Sequence, residues 1–432
     1  MPTPDHPIPP SVPSLFHSIS NEEACSSYLA ELHLELPLAA SQFGLVLSTA
    51  LEYKKDPTKL HTVKPISAHS SGLKEPHYRS KPLPVHIQSY ETHKQGQGHA
   101  DDVQKGEAPI AVENDGAQTE IVTSTKVDLT ISGDALTFYA RCEPLLMQAA
   151  TSGSATDNGL SKTTGSSHEA YNATSESFTK ALEQSQGQPG SVIHGHYQNV
   201  LSAITNVLEY QLSERVRLGQ SVETQDEFYC VNDIWREALI KLGNNNCLKT
   251  STRAVKFVIS EDTLLQGEPT LLSRCRRLEN EHGLILDSMR ESDVNKMLDV
   301  NKVKYPEEYG KKIIRLSKCF RDKDGEMVAW AGTHGDFSIA ALHVLPEYRK
   351  LSLGRIVLNS LALTHVQLAR GMLTSLGGKD SSSIPTSSLY AHADCLDDNI
   401  PTMAFMEHAG WHRVGTFIWF DLLYKSQSEK KD

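Results

Sequence analysis

The stretch LHVLPEYRKLSLGRIVLNSLAL, residues 342–363, limits the folds that this chain can adopt. An apolar strand runs into a proline and a basic turn, and a single glycine then opens an amphipathic helix. Arg349, Lys350 and Arg355 surround the start of this helix, although positive charge is unfavourable at a helix N-terminus. A bound anion such as a phosphate would resolve this conflict, because helix N-termini bind phosphate through their free N–H groups.

The turn has the spacing Arg-x-x-Ser-x-Gly, formed by Arg349, Ser352 and Gly354. Small residues at the start of a helix let a diphosphate approach successive backbone N–H groups. Since the helix follows a strand directly, a long ligand could lie along the strand with its phosphates on the turn. Short glycine motifs also occur in ordinary loops, so the alternative is a strand–helix connection with scattered surface cations.

Regular patterns are dense from about residue 281 onward, in the order β-α-α-β-β-β-α-β-α-β. Asp324-Gly325 predicts the tight turn of a hairpin in this order, because glycine readily supplies a positive φ. A hairpin combined with crossover helices predicts an α+β fold, with a mixed central sheet flanked by helices.

The first part of the chain has weaker patterns and is interrupted by segments rich in Pro, Gly, Gln, His and Ser, which are typical of disorder. We therefore predict an insert-rich α/β N-terminal domain. The predicted divisions are an N-terminal domain at 1–260 with disordered inserts at about 60–120 and 151–190, a linker at 261–280, a C-terminal domain at 281–425 and a tail at 426–432.

Composition excludes several classes of protein. The net charge of −11 argues against nucleic acid or an anionic membrane as the main partner. The seven cysteines are odd in number and form no Cys-x-x-Cys motif, so we expect neither a disulfide framework nor a metal site. There is no apolar run of transmembrane length and no recognisable signal peptide, so we expect a soluble cytoplasmic protein.

The motif LPEYRKLSLGR after a strand, with DDNIPTMAFMEHAGW further on, resembles the GNAT acyltransferase superfamily, and more closely its glycine N-acyltransferase-like branch. The resemblance covers about residues 284–423 and includes EEYGKKIIR and DKDGEMVAWAG. Upstream, LPLAASQFGLVLS and FYCVNDIWREAL resemble pieces of that branch's N-terminal half more diffusely, which suggests a degenerate GNAT-like half.

The resemblance implies that acyl-CoA is the co-substrate and that no metal takes part. It implies that the strand backbone contacts the pantetheine arm, that the turn holds the pyrophosphate and that an asparagine contacts CoA. The cofactor-binding residues so implied are Leu342, His343, Val344, Arg349, Lys350, Leu351, Ser352, Leu353, Gly354, Arg355 and Asn399. Asn399 also suits the alternative role of a helix N-cap.

The chain departs from the family pattern at the positions that matter for proton transfer. Met406 occupies the position of the usual general-acid tyrosine, and Ser338 occupies the position of the branch's base carboxylate. Asp336, two residues earlier, is on the same strand face if no bulge intervenes. Asp336 and His343 are the predicted catalytic bases, with His334 as a more distant candidate. A packed strand histidine and a solvated hairpin end are the alternatives for His343 and Asp336.

These observations predict an enzyme, an acyl-CoA-dependent N-acyltransferase. The acceptor is a small primary amine, such as glycine or another amino acid, and it attacks the thioester directly in a ternary complex. Two alternatives remain open: a non-catalytic CoA-binding or partner-binding protein on the same scaffold, and a protein N-acetyltransferase. A closed pocket beside the thioester would indicate a small amine, whereas an open groove would indicate a peptide.

Overall fold

The computed structural model describes residues 16–18, 29, 36, 40, 43, 47, 86–92, 125–132, 135–140, 143–152, 175–185, 192–217, 225–242, 252–376 and 388–423. The described strands are β1 (Phe16–Ser18), β2 (His86–Thr92), β3 (Thr125–Ser132), β4 (Ala135–Ala140), β5 (Gln225–Asn232), β6 (Thr252–Ser260), β7 (Ile285–Asp287), β8 (Lys318–Arg321), β9 (Met327–Thr333), β10 (Ser338–Val344), β11 (Tyr390–Leu396) and β12 (His412–Leu423).

The helices in the same part of the chain are α1 (Glu143–Ser152), α2 (Ser175–Ser185), α3 (Val192–Arg217), α4 (Arg236–Leu242), α5 (Glu261–His282), α6 (Val294–Val300), α7 (Glu307–Ile313), α8 (Leu353–Leu376) and α9 (Ile400–His408). None of these described helices is both long enough and apolar enough to span a lipid bilayer.

The described strands form one sheet in the order β1-β2-β3-β4-β5-β12-β6-β11-β10-β9-β8-β7. Neighbouring strands are antiparallel except in two pairs, β4 with β5 and β10 with β11. The sheet is therefore mixed, and the predicted α+β class is confirmed. From β7 to β12 the strands and helices also follow the predicted order.

Helices cover both faces of the C-terminal part of the sheet. Phe320 of β8 belongs to the apolar core that includes Ile356 and Leu361 of α8. Its neighbour Cys319 belongs to a second cluster, which includes Met297 of α6 and Ile313 of α7. Because successive strand residues point to opposite faces, α8 and the α6–α7 pair lie on opposite sides of the sheet.

The predicted hairpin is present between β8 and β9. Gly325 has φ of +81°, and its N–H donates to the carbonyl of Asp322 at 3.0 Å. Asp322 Oδ1 also accepts the backbone N–H groups of Asp324 and Glu326, both at 3.0 Å. The turn chemistry read from the sequence therefore locates this connection correctly.

Strand β6 belongs to the predicted N-terminal domain, but it lies between β11 and β12 and pairs with both along its length. Residues 261–280, interpreted above as a linker, are part of α5. The Ser260 side chain caps the start of this helix by accepting the N–H of Thr263 at 3.3 Å. Gly283, with φ of +64°, ends it in a left-handed conformation. How the chain divides into domains stays a prediction.

Two described elements lie inside the segments predicted to be disordered inserts. Strand β2 pairs with β3 over its whole length. Helix α2 buries Phe178, Ala181 and Leu182, which share one helical face at spacings of three and four residues. The apolar residues of α2 are few, and the serine-rich sequence around them hides their pattern. Residues 151–152 form the end of α1, and the rest of both predicted inserts lies outside the described residues.

Candidate functional site

The candidate site begins where β10 separates from β11. These parallel strands pair only at Ser338 with His392 and at Ile339 with Ala393. β11 then continues to Leu396 with β6 as its partner on the other side. A wedge-shaped gap therefore opens between β10 and β11 beyond the second pair.

A bulge in β10 accompanies this separation. The register of β10 against β9 shifts between Ala340 and His343, and Ala341 has φ of +52°. A positive φ is uncommon for a residue with a side chain and often marks a functional position. The half-buried backbone from 341 to 344 pairs with β9 on one side and faces the gap on the other. Leu342, His343 and Val344, the predicted contacts of a pantetheine arm, all lie here.

The loop after β10 is bent sharply before α8 begins. Lys350 and Ser352 have φ of +72° and +61°, so two residues with side chains adopt the left-handed region within three positions. The first backbone bond of the helix runs from the Ile356 N–H to the Ser352 carbonyl at 3.2 Å. The N–H groups of residues 353–355 therefore have no acceptor within the helix. This geometry is compatible with binding an anion.

Gly354 has a packing reason to be glycine. A Cβ at this position would lie 3.2 Å from Val344 Cγ2 and 3.4 Å from the ring of Phe405 on α9. The glycine thus lets the start of α8 approach both β10 and α9 closely. Leu353 beside it is 1% exposed, and Leu351 is half-buried against the core.

The cations of the loop differ in their surroundings. Arg349 Nε donates to the carbonyl of Val344 at 3.3 Å, which ties the loop to the end of β10. Lys350 and Arg355 are exposed, and neither forms an ion pair with the described residues. Asn399 caps α9, because its Oδ1 accepts the Thr402 N–H at 3.4 Å. The N-cap alternative for Asn399 is therefore observed, while its contact with CoA stays a prediction.

Asp336 is not a solvated hairpin end, since it is only 1% exposed. It precedes β10 in a turn where Phe337 has φ of +64°, so the backbone between Asp336 and Ser338 is not regular strand and the condition for a shared strand face is not met. Its Oδ1 accepts the Ser338 hydroxyl at 2.6 Å and the Ser338 N–H at 3.1 Å. Its Oδ2 lies 3.5 Å from His392 Nε2.

Burial and the neighbouring charges shift the pKa of Asp336 in opposite directions. Burial alone would raise the pKa of this carboxyl group, but His392, Lys256 and His334 hold it well below its usual range. Asp336 is therefore ionised at neutral pH. A carboxylate with a low pKa is a weak base, so this group is better suited to orienting and stabilising a positive neighbour than to removing a proton.

A buried ion pair lies next to Asp336. Lys256 of β6 is fully buried, and its Nζ is 2.9 Å from Asp394 Oδ1 on β11. Burial would lower the pKa of Lys256, but the charges of Asp394, Cys230 and Asp336 raise it above its usual range. The ammonium group therefore stays protonated and compensates the carboxylates.

Cys230, Asp336 and Asp394 place their ligand atoms within 4.8 Å of one another, which is close enough to hold a metal ion. The ammonium of Lys256 already provides the positive charge at this cluster. A divalent cation would have to compete with it at close range, so these residues fit a lysine better than a metal. Cys230 belongs to β5 and has φ of +52°, so a strand upstream of residue 260 contributes directly to the site.

Three aromatic and imidazole side chains form a second polar group beside Asp336. His334 Nδ1 is 3.0 Å from the Tyr309 hydroxyl, and its Nε2 is 3.5 Å from the Tyr305 hydroxyl. Burial lowers the pKa of His334 although Asp336 and Asp394 oppose the shift. This half-buried imidazole is therefore neutral at pH 7 and can accept a proton.

His343 packs against Trp330 on β9, with ring centroids 4.8 Å apart. Burial, with a smaller effect of Arg349, lowers the pKa of His343. The structure thus shows both the packed strand histidine of the alternative and a neutral imidazole at the gap. His365 of α8 is different: burial lowers its pKa to about 3, and its Nε2 is 2.8 Å from the Thr333 hydroxyl in the core.

Met406 and Cys395 both belong to the core. Met406 is 3% exposed, so it fills space in the apolar core. Burial raises the pKa of Cys395 to about 11, which keeps this thiol protonated and poorly nucleophilic at neutral pH.

Sequence reasoning missed the charged residues that β6 and β11 contribute to the site. Lys256 interrupts the apolar run AVKFVI, and Asp394 interrupts LYAHADCL. A charge inside an apolar strand needs a buried partner, and this was the available signal. The pairing of Lys256 with Asp394 could not be read from the sequence, because 138 residues separate them.

Neither the protein-family models nor the curated proteins include a match to this sequence. Among solved structures, a Drosophila protein determined by a structural genomics consortium aligns with 95% of this chain and 99% of its own, at 12% identity and a TM-score of 0.45. A GCN5-related N-acetyltransferase from Sphaerobacter thermophilus aligns with 69% of this chain and 76% of its own, at 10% identity and a TM-score of 0.28.

A conserved protein of unknown function from Staphylococcus epidermidis aligns with 52% of this chain and 81% of its own, at 11% identity and a TM-score of 0.28. All three TM-scores lie below 0.5, so the assignment of function to this chain depends on its own residues. The glycine N-acyltransferase-like branch stays a prediction.

Proposed function

We propose that this chain is an N-acyltransferase that moves an acyl group from acyl-CoA to a small primary amine, such as glycine or another amino acid. The observation that carries the proposal is the separation of β10 from β11 beyond Ile339, which leads directly to the bent loop at the start of α8. A strand backbone facing a gap, followed by free N–H groups and exposed cations, suits a long ligand with a diphosphate.

The proposed complex uses these elements in order. The backbone of Leu342, His343 and Val344 holds the pantetheine arm beside β10. The diphosphate lies on the loop from Arg349 to Arg355, where helix N–H groups and positive side chains neutralise it. Bound there, acyl-CoA supplies an activated thioester.

Chemistry at the thioester needs a neutral amine and a proton for the leaving thiolate. The amine nitrogen attacks the carbonyl carbon, the carbon–sulfur bond breaks, and a proton passes from the amine to the sulfur directly or through water. His343 and His334 are neutral imidazoles on either side of the bulge and can take the amine proton. Asp336, predicted as a base, is assigned instead to holding positive charge near the amine.

The first test is calorimetric titration of the full chain with acetyl-, butyryl- and benzoyl-CoA. The key variant is Gly354→Asp, which adds a negative charge next to the proposed diphosphate while suiting the helix dipole. Gly354→Ala is the matched control, because it adds the same Cβ without the charge. We expect micromolar binding by the wild type, a modest loss with alanine and abolition with aspartate.

Turnover is then measured by release of free thiol with a panel of amines, including glycine. Loss of binding to the same extent in both Gly354 variants would mean that crowding against Val344 and Phe405 explains the effect, and it would contradict a phosphate site.

A second candidate is a non-catalytic CoA-binding or partner-binding protein. Two observations favour it: Met406 is a core residue without a transferable proton, and Asp336 is a weak base. Acyl-CoA binding without thiol release in the presence of any amine would support this candidate. Turnover only with a peptide or protein amine would favour the protein N-acetyltransferase alternative.

A further inference from the structure

A cavity of about 220 Å³ lies between α5 and α8, next to the C-terminal end of α9. Its walls include Leu264, Leu271 and Arg274 of α5 and Arg355, Ile356 and Asn359 of α8. Pockets that enclose a whole drug-sized ligand usually measure ~300–1,000 Å³, so this cavity is suited to one end of a larger molecule.

The charged residues that line the cavity are Arg274, Arg355 and Glu268, so positive side chains outnumber negative ones. Arg274 is half-buried and Arg355 is exposed, and neither forms an ion pair or hydrogen bond within the described part of the chain. At the far end of the same helix pair, Arg370 of α8 is bonded to Glu261 of α5. The two helices therefore pair Arg370 with a carboxylate and leave two arginines beside a cavity that has a single carboxylate, Glu268, in its lining. An anion at the cavity would balance them.

The rest of the lining suits a flat heteroaromatic ring. Leu264, Leu271 and Ile356 provide apolar walls. Asn359 Oδ1 accepts the Trp411 indole N–H at 3.1 Å, which leaves the amide NH₂ of Asn359 free to donate. Arginine guanidinium groups also stack on aromatic faces and bind phosphate bidentately. The same walls can therefore hold a purine and a phosphate monoester.

The cavity lies close to the loop from Arg349 to Arg355, where the diphosphate is proposed to bind. Arg355 is three residues beyond Ser352, a distance of about 4.5 Å along the helix axis at 1.5 Å per residue. A ligand whose diphosphate lies on the loop can therefore extend its nucleoside into the cavity.

We propose that the cavity binds the adenosine 3′-phosphate end of CoA, with the purine between α5 and α8 and the 3′-phosphate at Arg274. This inference rests on the proposed function, because it places one end of the same ligand. It also gives α5 a role in binding the cofactor, although this helix lies outside the predicted C-terminal domain.

The test compares acetyl-CoA with acetyl-dephospho-CoA, which lacks only the 3′-phosphate, by calorimetry on the full chain. We expect the wild type to bind acetyl-CoA at least about tenfold more tightly, since hydrogen bonds to charged groups are worth that much or more. Arg274→Ala should remove this preference and leave the affinity for acetyl-dephospho-CoA unchanged. Arg274→Lys should retain part of it.

Arg276→Ala is the matched control, because Arg276 is exposed on the same helix and does not line the cavity. It should leave both affinities unchanged. Thermal melting of each variant shows whether α5 remains folded, and Arg274→Gln replaces the alanine variant if it does not.

Two results would overturn the inference alone. These are equal binding of both ligands by the wild type, and a preference that survives in Arg274→Ala. In either case acyl-CoA still binds, and the proposed function stands. Failure of the wild type to bind either ligand would overturn the proposed function and the cavity assignment together.

Discussion

Replacing Lys256 with methionine tests the buried charge cluster most directly. Methionine keeps an unbranched side chain but removes the ammonium that lies 2.9 Å from Asp394. The Lys256 and Asp394 side chains are 0% and 11% exposed, so water cannot replace the lost partner effectively. Removing one member of a buried ion pair costs about 3–5 kcal/mol. Domains are typically stable by only about 5–15 kcal/mol, so Lys256→Met should be strongly destabilised.

The sign of the pH dependence follows from the carboxylates that remain. In the wild type the pKa of Asp336 is depressed, so its contribution to stability is present above the ordinary carboxyl pKa and is lost only as pH falls through the lower folded value. Without the ammonium, one of the charges that lower the pKa of Asp336 is lost, so this pKa rises. The free-energy cost of burying an ionised carboxylate without its partner is then full at pH 7. It declines as pH falls toward the ordinary carboxyl pKa of about 4. The variant should thus lose more stability at pH 7 than at pH 5.

Urea unfolding followed at both pH values measures this effect. The double variant Lys256→Met with Asp394→Asn removes both partners and should recover part of the lost stability. Lys311→Met, at a partly exposed lysine paired with the exposed Glu307 and Glu308, should change stability little. If Lys256→Met lowers the unfolding free energy by less than about 1 kcal/mol, or by the same amount at both pH values, then Lys256 does not form the buried ion pair described.

Other predictions concern single positions. Gly332→Ala would place a Cβ 2.4 Å from Ile313 Cγ2 and should lower the unfolding free energy by about 1–3 kcal/mol. Gly335→Ala is the control, because a Cβ there has no atom within 4 Å and should not lower stability. An unchanged melting temperature for Gly332→Ala would contradict the packing described. Burial raises the pKa of Glu143 to about 7, so wild-type stability should fall as pH rises from about 4.5 to 7, and Glu143→Gln should flatten that dependence in urea titrations. Cys395→Ser should keep any acyl-transfer activity, because this thiol is protonated at neutral pH; loss of activity would instead indicate a covalent intermediate on Cys395.

The C-terminal fold could be predicted because its signals are local. The β8–β9 turn is specified by Asp324 and Gly325, and the helix after β10 is specified by its own apolar spacing. By contrast, the ordered α2 was missed because three apolar residues in a serine-rich segment do not stand out. The spacing of apolar residues predicts such elements only where many apolar residues follow the pattern.

The candidate site was predicted in part. The loop from Arg349 to Arg355 follows one strand directly, so its residues lie together because they are neighbours in sequence. The surroundings of Asp336 depend instead on strands that meet only after folding. The residues around Asp336 in the sequence are compatible with both a solvated hairpin end and a fully buried carboxylate. The two cases differ only in whether Lys256 and His392 lie next to Asp336 in the folded protein.

The position of strand β6 limits where this chain can be cut into fragments that fold. Because it lies between β11 and β12, a fragment beginning at residue 261 or 281 would lack an interior strand of the sheet. Two long strand edges would then be open to pairing with other molecules, and Asp394 would be left without its counter-ion. Such a fragment should aggregate, whereas adding residues 252–260 as a separate peptide offers a route to complementation in trans. The two parts of this chain are joined by a shared strand and not merely by a covalent connection.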